Sequence, residues 1–408
     1  MADAGRIDIE IVTNTHQVCT VRVGSTRPQL ARLLVGRSPS AAAQLVPMLF
    51  SVCGKAQGLC AKLATDAAES ATNQATNQTA VPEPARPQGV IDGPATSKPA
   101  CSDADLAALV GEIAFEHLWR LWIDWPALLG LPARRQDLAA VAGPLRAAHA
   151  ALAADSLGRV LQAELGAPLG QGGSVDFDAG LATLAPEAVI GLGGWAPRPA
   201  GWPGLLDRLR GLDLPALSRS PALHPHWLPC LSLAQQSGQW PDPWPDDFPQ
   251  APTYGGEPAE TGPIARHAQH PVVSAWLKAG FPVVARVVAR MVAVVECAQV
   301  LSGRPHAYAL VEVRRLGSGQ AVARVETARG QLMHRVSVEP ATKPEDRGRI
   351  VRYDIVAPTE WNFHPAGTLA RALVGLPVRD RAMLQRHVQA LVLALDPCVE
   401  YGVSWIQA

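Results

Sequence analysis

Two hydrophobic periods divide the chain. Residues 6–11 and 17–23 alternate apolar and polar positions, with Asn14-Thr15-His16 between them, and predict a β-hairpin. The spacing then turns helical. LARLLV, ended by Gly36, is a short helix, and Ser38-Pro39 caps a second that runs toward Phe50. A third runs from Gly54 to about Ala71. Ser102-Asp103-Ala104-Asp105 opens a fourth, with Phe115, Leu118, Trp119, Trp122 and Ile123 on a wide apolar face and Pro126 as its end. Helices rich in Ala and Leu follow over 135–154 and 156–165. Residues 271–301 form a long helix, apolar on most sides and interrupted near Gly280-Pro282, which predicts a central position. From Tyr308 the period returns to two. ALVEVRRL, AVARVETA, QLMHRVSVE and RIVRYDIVAP read as strands, and helices over 366–374 and 379–395 close the chain. The expected fold class is α+β and helix-dominated, a central helical bundle with a small antiparallel sheet, in a single domain spanning 1–408.

Two stretches break these periods. Over 71–100 ATNQ occurs twice in tandem and five prolines follow, which predicts a flexible low-complexity insertion. Over 193–258 prolines alternate with Trp195, Trp202, Trp227, Trp240 and Trp244. Tryptophans would pin such a stretch to the body as an ordered loop.

Charge narrows the function classes. Lys+Arg and Asp+Glu are both 36, so no basic footprint for nucleic acid or an anionic membrane exists. The longest apolar helical run, 282–295, is broken by Arg286 and Arg290, so no membrane span is expected. The first residues lack a basic segment followed by an apolar core, so no signal peptide is expected. Seven cysteines without a CxxC pair point to reduced thiols in a cytoplasm and away from a structural zinc site.

The candidate chemistry is sulfur. In LVPMLFSVCGKAQGLCAK, Cys60 follows Cys53 by seven positions, so on one helix both thiols would share a face and a pocket. Each could ligate a metal or be a small core hydrophobe, and both readings stay open. Asp396-Pro397-Cys398 sits on the last turns of the closing helix. Arg329 precedes Gly330 at a turn between strands, where a guanidinium can donate inward. His224 and His226 with Cys230 read as surface packing in a Trp-rich loop. No P-loop, dinucleotide fingerprint or G-x-S-x-G is present.

Five motifs in register carry a family resemblance. Residues 29–54, QLARLLVGRSPSAAAQLVPMLFSVCG, come first. Then follow Gly262-Pro263-Ile264-Ala265-Arg266, the stretch from Glu326 to His334, Val356-Ala357-Pro358-Thr359-Glu360-Trp361-Asn362, and Asp396-Pro397-Cys398. Together they resemble the large subunit of nickel-iron hydrogenases. In that family an iron carrying one carbon monoxide and two cyanides shares four thiolates with nickel. The resemblance puts Cys53 and Cys398 at two thiolate positions, with Arg329 and Thr359 as donors to the cyanides. Ala56 and Tyr401 stand at the other two thiolate positions, so no functional nickel site and no catalytic activity are expected. Cys60 stands at the family's histidine and is a possible substitute metal ligand.

These departures, with EHLWRLWIDWP (116–126), resemble the non-catalytic hydrogenase expression/formation proteins of the HupK/HoxV type. That implies a maturation scaffold holding Fe(CN)2(CO) transiently on Cys53, Cys60 or Cys398. Its implied partners are the hydrogenase large-subunit precursor and small hydrogenase maturation chaperones. A metal-free chaperone and an active hydrogenase subunit are the alternatives.

Overall fold

Ile7, Ile9 and Ile11 fall on alternate positions and all three are buried. They belong to β1 (Arg6–Thr13), which pairs antiparallel with β2 (Val18–Ser25) in the expected hairpin; Ile9 lies opposite Val23 and Ile11 opposite Val21. The computed structural model describes residues 5–50, 52–77, 101–166, 176–190, 201–212, 227–228, 233–236, 238–239, 241–304, 309–339 and 348–408.

Helix α1 (Pro39–Leu49) starts where expected, with the Ser38 hydroxyl accepting from Ala41 N at 3.3 Å. Helix α2 (Gly54–Asn77) crosses it closely. A Cβ on Gly58 would sit 3.2 Å from Pro47 Cβ, so the small residue there permits the approach. The helix runs beyond Ala71 to Asn77, so the first repeat of the expected insertion is helical; 78–100 lie outside the described residues.

Helix α3 (Asp103–Trp119) has the full capping box, Ser102 with Asp105. It does not end at Pro126. A widened turn over Arg120–Asp124 leads into a last turn, Trp125–Leu128, where the proline occupies a first-turn position that needs no N–H donor. The expected helix over 135–154 is broken: α4 (Arg135–Arg146) and α5 (Ala150–Leu165) are separated at Ala148, which has φ 52°. The Trp-rich stretch contains a helix, α6 (Gly201–Arg210), rather than loop throughout.

Helices α7 (Pro271–Lys278) and α8 (Pro282–Leu301) confirm the predicted interruption. Helix α8 is buried on nearly every side, Arg286 and Arg290 included. These arginines break the apolar run because they face inward to carboxylates. Arg286 holds Glu260 through two bonds of 2.8 and 2.7 Å, and Arg290 reaches Asp396. Among the described residues no helix is long and apolar enough to cross a membrane.

The period-two region forms β3 (Val311–Gly317), β4 (Gln320–Thr327), β5 (Gly330–Glu339) and β6 (Arg349–Val356), an antiparallel sheet in sequence order. Three helices follow: α9 (Pro358–Asn362), α10 (Thr368–Leu373) and α11 (Arg381–Leu395). The chain then forms a strand the periodicity did not predict, β7 (Glu400–Gln407), which pairs parallel with β1. The class is α+β, with a large buried apolar cluster running from Ile7 to Leu395 and a second, smaller one around Trp244, Phe248, Met333 and Trp361.

Candidate functional site

Segments from both ends of the chain meet beside the four-stranded sheet. Cys53 lies just before the first residue of α2, and its carbonyl accepts the first helical bond, from Gln57 N at 2.9 Å. Glu112 on α3 caps that helix. Its two oxygens accept from Lys55 N at 2.9 Å and Ala56 N at 3.0 Å, placing a carboxylate at the positive end of the helix. Burial raises the Glu112 pKa against these two donors.

Cys398 arrives from the other end. It lies beyond α11 rather than on it. Asp396 is the C-cap, with left-handed backbone at φ 60°, and turns the chain toward Pro397. The Thr359 hydroxyl donates to Cys398 Sγ at 3.1 Å. Burial, then the charges of Cys398 and Glu112, push the Cys53 thiol up to about 12, against Arg329 and a hydrogen bond from Gln57. The two thiols therefore share one field.

Arg329 sits on the turn between β4 and β5, whose geometry depends on two glycines. Gly330 has φ 127°, and a Cβ there would lie 2.5 Å from Gly262 N; Gly262 has φ 106°, and its Cβ would lie 2.7 Å from Arg329 O. Asn362 ties three motifs together: its Nδ2 donates to Arg329 O and Leu395 O, each at 3.2 Å, and its Oδ1 accepts from Thr261 N at 2.9 Å. Gly330→Ala is expected to destabilise the fold by at least about 1–3 kcal/mol, read by denaturant unfolding, since strain and a backbone clash add.

The Arg329 guanidinium donates through Nη2 to Glu116 Oε2 at 2.9 Å. Burial opposes its charge, but Asp396 and Glu116, then Cys398 and Cys53, outweigh burial and raise its pKa. Its Nε lies 3.3 Å from Asp396 Oδ1 yet is buried without a hydrogen bond. Asp396 itself is clamped by three arginines. Oδ1 accepts from Arg120 Nε at 2.7 Å and faces Arg329, and Oδ2 accepts from Arg290 Nη1 at 2.7 Å. Burial would raise the Asp396 pKa; Arg120, Arg329 and Arg290 together hold it well below the usual carboxylate range.

Cys60 does not join this site. It is fully buried, with Sγ 3.4 Å from Ala323 O on β4 and 3.9 Å from Leu332 O on β5. Burial pushes its thiol pKa up. Seven-residue spacing failed to bring Cys53 and Cys60 together because Cys53 precedes the helix, so the helical face does not include it. His224, His226 and Cys230 lie outside the described residues. Among the described residues no three His, Cys, Asp or Glu side chains converge as a metal cluster.

Sequence reasoning missed the supporting residues. Glu112, Arg120, Arg290, Gln57 and the pair Arg27–Glu360 were not singled out for the site. The available signal for Arg290 was a charge inside an otherwise apolar helix. Arg27 donates to Glu360 Oε1 at 2.5 Å, and Glu360 Oε2 is buried without a partner. Burial opposes the Arg27 charge; Glu360, then Cys398 and Cys53, outweigh it. Beside them is a groove of about 640 Å³, lined by Arg27, Phe50, Tyr353, Ala357, Thr359 and Glu360 among others; Thr359 is the lining residue that bonds Cys398. A thiol paired with a hydroxyl, with guanidiniums that respond to the charges of both Cys53 and Cys398, is a donor set that suits a soft metal carrying anionic acceptor ligands.

No protein-family model matches the chain. It is 32% identical over 415 residues to the hydrogenase expression/formation protein HoxV of Cupriavidus necator, covering 95% of this chain and 93% of that one. It is 29% identical to HupK of Bradyrhizobium diazoefficiens (98% and 97% covered) and 29% identical to HupK of Azotobacter vinelandii (99% and 100%). Among solved structures, a nickel-iron-selenium hydrogenase variant from Desulfovibrio vulgaris Hildenborough superposes with a TM-score of 0.51 at 17% identity, covering 94% and 93%. An NAD+-reducing nickel-iron hydrogenase superposes at 0.50 and 18%, covering 94% and 92%. The fold is that of nickel-iron hydrogenase large subunits. The chain belongs to the hydrogenase expression/formation protein family of the HoxV and HupK type.

Proposed function

We propose that this protein serves hydrogenase maturation by holding an Fe(CN)2(CO) unit as cargo. It passes the unit to the hydrogenase large-subunit precursor, in company with small maturation chaperones, and catalyses no turnover itself. The cytoplasm, where thiols stay reduced, is its expected compartment.

The observation that carries this reading is the Thr359 hydroxyl 3.1 Å from Cys398 Sγ, beside an Arg329 whose pKa is raised in part by the charges of Cys398 and Cys53. Cys53 and Cys398 are the ligands the geometry favours. An iron that already holds three diatomic ligands needs few from the protein, so two thiolates suffice. Bound cyanide is a strong acceptor. The buried Nε of Arg329, which makes no hydrogen bond, is a suitable donor for it, and the Thr359 hydroxyl would serve as a second on turning away from Cys398 Sγ.

The positions that would complete a four-thiolate nickel site are used otherwise. The Ala56 N–H binds Glu112. Tyr401 lies on β7 opposite Ile7, with 39% of its surface exposed. A site with two thiolates rather than four binds less tightly, which suits a carrier that must release.

Handover is testable directly. Loaded protein mixed without oxygen with a tagged large-subunit precursor is expected to lose its cyanide and carbonyl infrared bands, which reappear on the separated precursor. Bands that stay on this protein through repeated incubation with competent precursor would contradict delivery.

A further inference from the structure

The three-stranded sheet, ordered β2-β1-β7, has two edges of unlike character. The β2 edge is blunted. Val18 exchanges backbone bonds with Leu376 and Gly375, each at 2.9 Å, and the β1–β2 register slips between Val12 and Thr13. The β7 edge is open. Its register with β1 runs from Glu400 to Gln407 without a bulge. The strand, EYGVSWIQ, holds no proline, no lysine and one charge, Glu400.

The phase of the ladder fixes which backbone groups are free. Ala408 N donates to Thr13 O at 2.9 Å, so Gly402, Ser404 and Ile406 turn their N–H and C=O groups to β1. Across β1, Thr26 N donates to Arg6 O at 2.9 Å, which assigns Arg6, Asp8, Glu10 and Val12 to β2 and agrees with that phase. Tyr401, Val403, Trp405 and Gln407 therefore present their backbone groups outward. Among the described residues nothing pairs with them. In register, Tyr401, Val403 and Trp405 lie beside Ile7, Ile9 and Ile11 and share their sheet face. The isoleucines are buried, whereas Val403 and Trp405 are half-buried and Tyr401 is 39% exposed. The core is left partly uncovered along this edge.

We propose that a second copy of this chain covers it: two β7 strands pair antiparallel about a two-fold axis at Ser404, joining three strands from each copy into one sheet. Only this register sets all four outward residues against one another. Tyr401 meets Gln407 and Val403 meets Trp405, each pair exchanging two backbone bonds. The Val403–Trp405 pair is aliphatic on aromatic, is made twice, and lies on the core face. Gly402 falls opposite Ile406 and Glu400 opposite Ala408, so no like charges meet. This self-complementarity favours a second copy over a foreign strand. One strand edge is smaller than a standard interface, so the dimer is reversible. The pairing does not depend on the cargo reading. It holds the strand that follows Cys398 between two subunits.

The test reads oligomeric state and register on the full chain. In sedimentation, wild type is expected to rise from the mass of one chain toward that of two as concentration increases. Val403→Pro removes an outward N–H and no bond to β1, so it is expected to abolish the rise with the circular dichroism unchanged. Register is read by crosslinking. Ser404 faces itself across the axis in a non-hydrogen-bonded pair, with Cα atoms about 4.5 Å apart, within disulfide reach. A Cys19→Ser background removes the exposed native thiol. In it, Ser404→Cys oxidised with copper phenanthroline is expected to give a covalent dimer, and Ile406→Cys, which faces Gly402, is not. A chain that stays monomeric at every concentration would overturn the proposal. So would a dimer retained in folded Val403→Pro, or a Ser404→Cys that crosslinks no faster than Ile406→Cys. If Val403→Pro does not fold, the crosslinking comparison decides alone. A monomer whose Ser404→Cys variant crosslinks only to the large-subunit precursor would assign the edge to that partner and overturn the self-pairing.

Discussion

Asp396→Asn is expected to destabilise the protein by at least about 3 kcal/mol, a larger loss than substitution of any thiol. The side chain is isosteric, so the loss is electrostatic. Asp396 is 1% exposed and neutralises a site where Arg120, Arg290 and Arg329 converge, two of them at 2.7 Å. Removing one partner from a buried ion network leaves uncompensated charge, the costly case. Arg120 and Arg329 keep other carboxylates, Asp124 and Glu116. Arg290 keeps only the Ala394 carbonyl, at 3.0 Å, among the bonds that hold it. Urea unfolding followed by circular dichroism measures the loss.

The pH dependence has the same sign. Asp396 has a depressed pKa in the folded protein, so its contribution is complete above the ordinary value of 3.8 and is lost as pH falls below it. His334 and His117 are buried neutral, with pKa values below 6.5. The unfolded chain therefore takes up their protons first, and stability begins to fall below about pH 6.5, by about 1.4 kcal/mol per pH unit for each imidazole. The predicted acid limb thus has two stages, and Asp396→Asn removes the lower one.

The second large effect separates the cysteines. Cys53→Ser and Cys398→Ser are each expected to abolish cargo retention while leaving the fold intact. Cys60→Ser is expected to retain cargo and to lose stability instead. Cys60 faces the carbonyls of Ala323 and Leu332 inside the apolar interface of α2 with the sheet, where a hydroxyl is a poorer fit than a thiol. Iron content per chain and the unfolding midpoint, measured on the same three preparations, check this. Cargo lost from Cys60→Ser with unchanged stability would contradict it.

These outcomes show where the sequence was readable. Period-two alternation identified all four strands from Val311 to Val356, because each strand there follows its partner in sequence and its pattern is local. Strand β7 was not legible: its partner is β1, at the opposite end of the chain, and most of its residues are at least partly exposed. Cys398, Arg329 and Thr359 were picked out by motif order, and of these the structure shows the Thr359 hydroxyl bonded to Cys398 Sγ at 3.1 Å. Cys60 was grouped with Cys53 on helical spacing, which ignores where a helix begins. The arginines of α8 were visible only as interruptions, since their meaning lies in Glu260 and Asp396, 26 and 106 positions away. Local pattern gives elements; the charge clamp on Asp396 depends on pairings across the whole chain.

The central claim, that this protein carries Fe(CN)2(CO), is tested most directly by infrared spectroscopy with iron and nickel analysis. The protein is purified without oxygen from cells expressing the maturation machinery. Metal-bound cyanide and carbonyl stretches fall where protein is silent. Cyanide and carbonyl bands accompanied by iron and no nickel are predicted. Repeated preparations with neither bands nor iron would contradict the claim and leave a metal-free chaperone.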